Sequence, residues 1–297
     1  MMHAPRLATV MLLSLGLGLL SVTIGKETAP KTTSSDSGDT LFFDDFSGAE
    51  LDRTKWHVEI SGPVHNDELQ CYIDSPETAY LVKSEDAPGS DNGALVIHPR
   101  FKPGTRSTQG RSYDFVSARL NTRNKFEFTH GSCSARIKMP DAVGAWPAFW
   151  LLGNGRWPDA GEIDIMEYVG EKDWTGVAVH GPGYSGETPV VNKYFFESGT
   201  DVTDWHVYSV DWTPQDLRFR VDGRLTYRAT RMMIENYGKW VFDEPEFIIL
   251  NFAVGGIYPF KTNGIRQPYY GLPESTLQRI KDGDLKMYVD WVKVMKG

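Results

Sequence analysis

The chain has 297 residues, 40% of them hydrophobic, enough to build one large core or two modest ones. Its formal net charge of −8 argues against nucleic acid, which selects basic surfaces, and against an acidic polymer as substrate. A neutral ligand is the simpler partner for such a surface.

The N-terminal stretch MMHAPRLATVMLLSLGLGLLSVTIGK opens with His3 and Arg6, runs apolar from Leu7 to Leu20 and then turns to small residues. That is the pattern of a secretion signal, and the apolar run is short for a membrane span. Residues 1–25 are expected to be cleaved, leaving a secreted, extracellular protein with no membrane attachment. Residues 26–40, rich in Ser, Thr and Asp, read as a flexible leader, and 41–297 as a single domain. The only two cysteines, Cys71 and Cys133, sit in no metal-ligand pair; either a disulfide or two buried thiols is compatible with export.

From Leu41 onward, short runs rich in β-branched and aromatic residues alternate with turn clusters. GALVIHPR, GSCSARIKM, WHVYSVDWT, FIILNFAV and KMYVDWVKV are examples. Val221-Asp222-Gly223-Arg224 is a hairpin signal, because Asp-Gly accepts positive φ. The best helix candidate, Arg231 to Asn236, is short, and no long segment of period 3.6 occurs. The pattern predicts an all-β chain of two packed sheets.

GEIDIMEYVG places Glu162, Asp164 and Glu167 in an otherwise apolar strand. Plain alternation would send Glu167 to the opposite face from Glu162 and Asp164. A β-bulge at Ile165-Met166 resets the alternation and brings all three acids to one side. The glutamate Cα atoms are then roughly 13 Å apart at ~3.3 Å per step. Inward-leaning side chains, each reaching about 3–4 Å, leave roughly 5–6 Å between the carboxyls. Retaining glycosidases hold their pair at about 5–5.5 Å, whereas inverting ones need about 6.5–9.5 Å, so the spacing favours a retaining double displacement. Like charges this close also resist simultaneous ionisation, so at least one carboxyl keeps its proton near neutrality. Glu162 as nucleophile, Glu167 as general acid/base and Asp164 between them is one assignment; spacing alone does not decide between the glutamates. A solvated acidic edge strand and a calcium site are the competing readings of the decapeptide. The tryptophans just upstream, in GAWPAFWLLGNGRWPDAG, weigh toward a sugar site, since flat aromatic faces stack on the CH-rich faces of pyranose rings.

WPAFWLLG and WPDAGEIDIMEYVG resemble glycoside hydrolase family 16, in particular its laminarinase-like endo-β-1,3-glucanases. The family motif E-x-D-x-x-E is matched by Glu162, Asp164 and Glu167. HNDELQCYI, SARLNTRNKFEFTHGSCSARIKMP, VAVHG, FIILNFAVGG and MYVDWVKV resemble further family segments, so the likeness spans nearly all of 41–297. The resemblance implies a β-jelly-roll sandwich with an open concave cleft and the acid roles given above. It also implies a β-glucan polysaccharide as the partner and a monomeric enzyme that needs no cofactor for catalysis. It puts Asn66, Glu68, Arg119, Trp146, Trp150, Trp157 and His180 in the cleft. Arg119 and Asn66 would lie on the non-reducing side, and His180 beside the acid/base. Arg119 could instead serve only as a salt bridge. A structural calcium is implied at Asp45, the Gly93 carbonyl and Asp290. The chain departs from the pattern at Cys71 and at Ile257-Tyr258, which bears on substrate preference. Mixed-linkage glucanase, agarase or carrageenase activity is the alternative within the family. A glucan-recognition protein on the same scaffold is the non-catalytic alternative, although such proteins typically lack the two glutamates.

Overall fold

The computed structural model describes residues 39–62 and 65–297; the expected signal and most of the expected leader lie outside them. The described chain runs β1 (Thr40–Asp44), β2 (His57–Val58), β3 (Gln70–Tyr72), β4 (Ala79–Val82), β5 (Ala94–Ile97), β6 (Arg100–Arg106), β7 (Ser112–Ser117), β8 (Arg119–Asn121) and β9 (Gly131–Lys138). It continues through β10 (Ala145–Gly153), β11 (Glu162–Glu167), β12 (Trp174–His180), β13 (Val190–Phe195), β14 (His206–Trp212), β15 (Asp216–Val221) and β16 (Arg224–Thr230). It ends with α1 (Arg231–Glu235), β17 (Glu246–Val254), α2 (Ile257–Asn263), α3 (Glu274–Asp282) and β18 (Met287–Met295).

Two large antiparallel sheets form a sandwich. One has the order β16-β15-β14-β9-β18-β5-β4, with β1 also paired to β18; the other runs β13-β12-β11-β10-β17-β8-β2. β9 shows why they stack: Cys133, Ala135 and Ile137 alternate with half-buried polar residues, so one face of the strand is apolar. These side chains meet Phe149, Leu151, Ile248, Leu250 and Phe252 of the second sheet in one continuous core.

The hairpin forms where the sequence puts it, with Asp222 and Gly223 both at positive φ (50° and 79°). The short helix forms too, capped by Thr230, whose hydroxyl accepts from the Met233 N–H at 3.2 Å. α2 and α3 were not legible as helices. α2 starts just after a Gly-Gly pair and carries Pro259 at its third position, so it reads as a turn cluster. α3 is only nine residues long, with Thr276, Leu277 and Ile280 as its buried face. Cys71 and Cys133 are both free: Cys133 lies in the main core, and Cys71 in a separate small cluster with Tyr113 and Val116.

Candidate active site

β11 is bulged. Against β10, Trp150 pairs with Asp164 and Phe149 with Met166, so Ile165 is the extra residue. Against β12, three steps from Asp164 to Glu167 face two steps from Ala178 to Gly176. The physical cause is apolar demand on the core side: Ile163, Ile165 and Met166 are all buried in the sandwich core. Three apolar residues can turn inward only if alternation slips once, and that slip carries Glu167 to the side of Glu162 and Asp164.

Two indoles bracket the row. Trp157 Nε1 donates to Glu162 Oε2 at 3.0 Å, and Trp146 Nε1 donates to Glu167 Oε1 at 3.0 Å. Trp157 remains 45% exposed, which leaves its ring surface free to meet a ligand. His180, at the end of β12, pairs across the strands with Glu162. Its Nε2 stands 3.3 Å from Asp164 and 3.6 Å from Glu162. That corrects the expectation that His180 attends Glu167: the antiparallel register places it at the other end of the row. Glu162, Asp164 and His180 each present one ligand atom within 4.8 Å of the others, a geometry that could also hold a metal ion.

The acids are buried together, and the electrostatics follow. Burial, then the Asp164 charge, pushes Glu162 up to about 8 and Glu167 up to about 8; burial alone pushes Asp164 up to about 8. The row therefore holds protons at neutral pH and titrates as a coupled unit. Such a row can both donate a proton and present a carboxylate, the pairing that glycosidic cleavage needs.

A second polar group lies on the neighbouring strands. Trp150 Nε1 donates to Asn251 Oδ1 at 2.7 Å, and Asn251 Nδ2 donates to the Tyr72 hydroxyl at 3.1 Å. Glu68 accepts from Gln70 at 2.7 Å and from Tyr72 at 3.4 Å, and burial pushes it up to about 6. Arg119 stacks over Trp150, 4.7 Å from the ring centroid, and its Nε lies 3.1 Å from Glu59. Arg119 is thus both a stacked cation and an ion-pair partner. Asn66 adopts the left-handed region at φ 59°, and its carbonyl accepts from the Ile257 N–H at 2.8 Å, anchoring the start of α2. Beside the acids the neighbouring strands carry little side-chain bulk: on β10 Ala148 pairs with Glu167, and on β12 Ala178 pairs with Asp164 and Gly176 with Glu167.

Two residues of this region were missed. Asn251 had a signal, a lone amide within the apolar run FIILNFAV. Glu246 had none. It is fully buried at the start of β17, and neither carboxyl oxygen has a hydrogen-bond partner. Burial, and then Glu162 and Asp164, raise its proton affinity far above the ordinary range. A Cβ on Gly161 would stand 3.0 Å from Glu246 Oε1, and Gly161 has φ 81°, so only glycine suits the step into β11.

The implied calcium positions lie elsewhere, near the 91–93 turn. Asp290 is buried; its Oδ1 accepts from the Asp91 N–H at 2.9 Å and its Oδ2 pairs with Arg136. Asp45 accepts from the Ser47 N–H at 3.2 Å and hydroxyl at 2.7 Å, and from Asn92 at 3.1 Å. Asp290 and Asp45 thus each accept from the Asp91-Asn92 turn that leads into Gly93, so the three implied positions are tied to one loop.

Comparison with known proteins agrees with this geometry. Residues 81–268 match the model of glycosyl hydrolases family 16. A β-glucanase of Rhodothermus marinus is 34% identical over 255 residues, covering 81% of this chain and 84% of that protein. The endo-β-1,3-glucanase of Pyrococcus furiosus superposes with a TM-score of 0.74 at 34% identity, covering 86% of this chain and 94% of that one. The laminarinase catalytic domain of Thermotoga maritima superposes with a TM-score of 0.72 at 33% identity, covering 87% and 98%. With a bulged acid row, two bracketing indoles and a sandwich of this topology, the chain belongs to glycoside hydrolase family 16.

Proposed function

We propose that the chain is an exported, retaining endo-β-1,3-glucanase. The observation that carries the reading is the bulged strand, which presents Glu162, Asp164 and Glu167 on one face between two indole donors. In the first step Glu162 attacks the anomeric carbon while Glu167 gives its proton to the departing glycosidic oxygen. The C–O bond to the leaving chain breaks as the bond to Glu162 forms. In the second step Glu167 takes a proton from water, and the oxygen displaces Glu162. Asp164, wedged between the glutamates, keeps their proton affinities high and is the nearest store for a shared proton.

Arg119, Trp150, Asn251, Glu68 and Asn66 would hold the sugars on the non-reducing side, and His180 would orient the nucleophile. The uncharged glucan fits the acidic chain, and the solved neighbours named above are an endo-β-1,3-glucanase and a laminarinase catalytic domain. Export rests on the N-terminal segment. Incubation with laminarin, barley mixed-linkage glucan, agarose and carrageenan tests the substrate class. Reducing ends should appear fastest from laminarin, and proton NMR should show the β-anomer of the new end first. Release from a galactan alone, binding to laminarin without release, or an α-anomer first would each sink the reading.

Trp157→Phe keeps a ring at the cleft and removes the N–H that holds Glu162. Hydrogen bonds to charged groups contribute about 1.5–3 kcal/mol, so kcat should fall roughly tenfold to a hundredfold. KM should move by less than about threefold if the ring supplies most of the sugar contact. Steady-state kinetics on laminarin would separate the two; a change in KM alone would show that the indole only stacks.

A further inference from the structure

A series of contacts outside β11 joins the two ends of the acid row. From Glu162, the chain of contacts runs to Trp157 through its hydrogen bond, and from the Trp157 ring to the 181–189 segment, where a Cβ on Gly186 would lie 3.9 Å away. The next residue, Glu187, pairs with Lys261 of α2. One turn back on α2, Tyr258 packs edge-on against Trp146 at 5.4 Å between centroids, and Trp146 returns to Glu167 through its own hydrogen bond. With β11 as its base, these contacts close a circuit from one glutamate to the other.

The span lies on the β12 side. The 181–189 segment follows β12, and a Cβ on Gly176 of β12 would stand 3.6 Å from the Tyr258 hydroxyl. On the assignment of Arg119 and Asn66 to the non-reducing side, that is where the leaving chain departs. Gly176 and Ala178 make its floor, and beyond it Val191 and Phe195 on the edge strand β13 are exposed.

A closed ring can be threaded by a chain end but cannot accept the middle of a long chain. The weakest link in this one is the Lys261–Glu187 pair, whose side chains are 48% and 72% exposed. Exposed pairs break readily. We propose that Lys261 and Glu187 form a latch over the leaving-group side that must open to admit the interior of a polymer, and that this pair sets the preference between polymer and short oligosaccharide. The inference rests on the glucanase reading, and the test separates the two.

Lys261→Met and Glu187→Gln should each raise kcat/KM on long laminarin about two- to fivefold, the range an exposed pair can carry. On a β-1,3-linked tetrasaccharide, which enters by its end, kcat/KM should stay within about 1.5-fold on the same grounds. The swapped double variant Lys261→Glu with Glu187→Lys should return the polymer value toward that of the natural protein. An unchanged polymer-to-tetrasaccharide ratio, or a gain that the swapped pair retains, would overturn the latch while leaving the glucanase reading intact. Hydrogen exchange decides the latch even if no glucan is cleaved. Amides of 181–189 and α2 should exchange faster in Glu187→Gln than in the natural chain, and identical exchange would overturn the proposal.

Discussion

Glu162→Gln and Glu167→Gln should each lose about a thousandfold or more in kcat on laminarin while keeping the circular dichroism and melting temperature of a folded sandwich. Gln is isosteric with a protonated Glu, and the row is protonated in large part at neutral pH, so the exchange removes chemistry and leaves packing in place. The two roles can then be told apart with azide and an activated aryl β-glycoside, which needs little acid assistance. In Glu162→Ala, azide should fill the space of the lost carboxylate, attack the substrate directly and leave an α-glycosyl azide. In Glu167→Ala, the glycosyl–Glu162 intermediate should still form, and azide should displace it to give the β-glycosyl azide. The reverse pattern would exchange the two assignments. Near-normal turnover in either Gln variant would remove the double displacement altogether.

Asp164→Asn should lose activity and gain stability, with the gain confined to higher pH. In the unfolded chain these carboxyls titrate near their ordinary values of 3.8 for Asp and 4.5 for Glu; in the folded row each stands at about 8. Between those values the native state binds more protons than the unfolded chain, so stability falls as pH rises from about 4 through about 8. Replacing Asp164 by a neutral amide removes one proton requirement and one repulsive neighbour from both glutamates. At pH 8 we expect a gain of several kcal/mol, since each pH unit between the two values contributes about 1.4 kcal/mol, and a rise in melting temperature of roughly ten degrees or more. At about pH 3, below both values, the natural residue is neutral in the folded and the unfolded chain alike, and the two proteins should melt together. Activity should fall roughly tenfold to a hundredfold, because the shared proton is lost. Calorimetry at both pH values reads this directly, and an equal shift at about pH 3 and pH 8 would show that charge is not the cause. Glu246 belongs to the same account, since its buried carboxyl is raised by Glu162 and Asp164.

The parts of the site that could be read in advance are those whose signal is local. Ile163, Ile165 and Met166 can all face the core only through a slip in alternation, so six consecutive residues specify both the bulge and the shared face of the three acids. The Asp222-Gly223 turn, the two-residue period of β9 and the Thr230 cap are likewise contained in short windows. The resemblance to the family extended this reading to Trp146, Trp150 and Trp157, whose indoles donate to Glu167, Asn251 and Glu162 respectively.

What the chain by itself determined, then, is an all-β sandwich and an acid row on one bulged strand, because side-chain period and turn chemistry act over a few residues. Only the tertiary structure decided that His180 attends Asp164 and Glu162, that Asn251 links Trp150 to Tyr72, and that Glu246 lies unpartnered beneath Gly161. It also decided that Lys261 of α2 meets Glu187 of the segment after β12. Those contacts join residues 16 to 179 positions apart, and they depend on which strands neighbour one another and in what register. That is a property of sheet assembly and loop packing, to which no short window of sequence is sensitive.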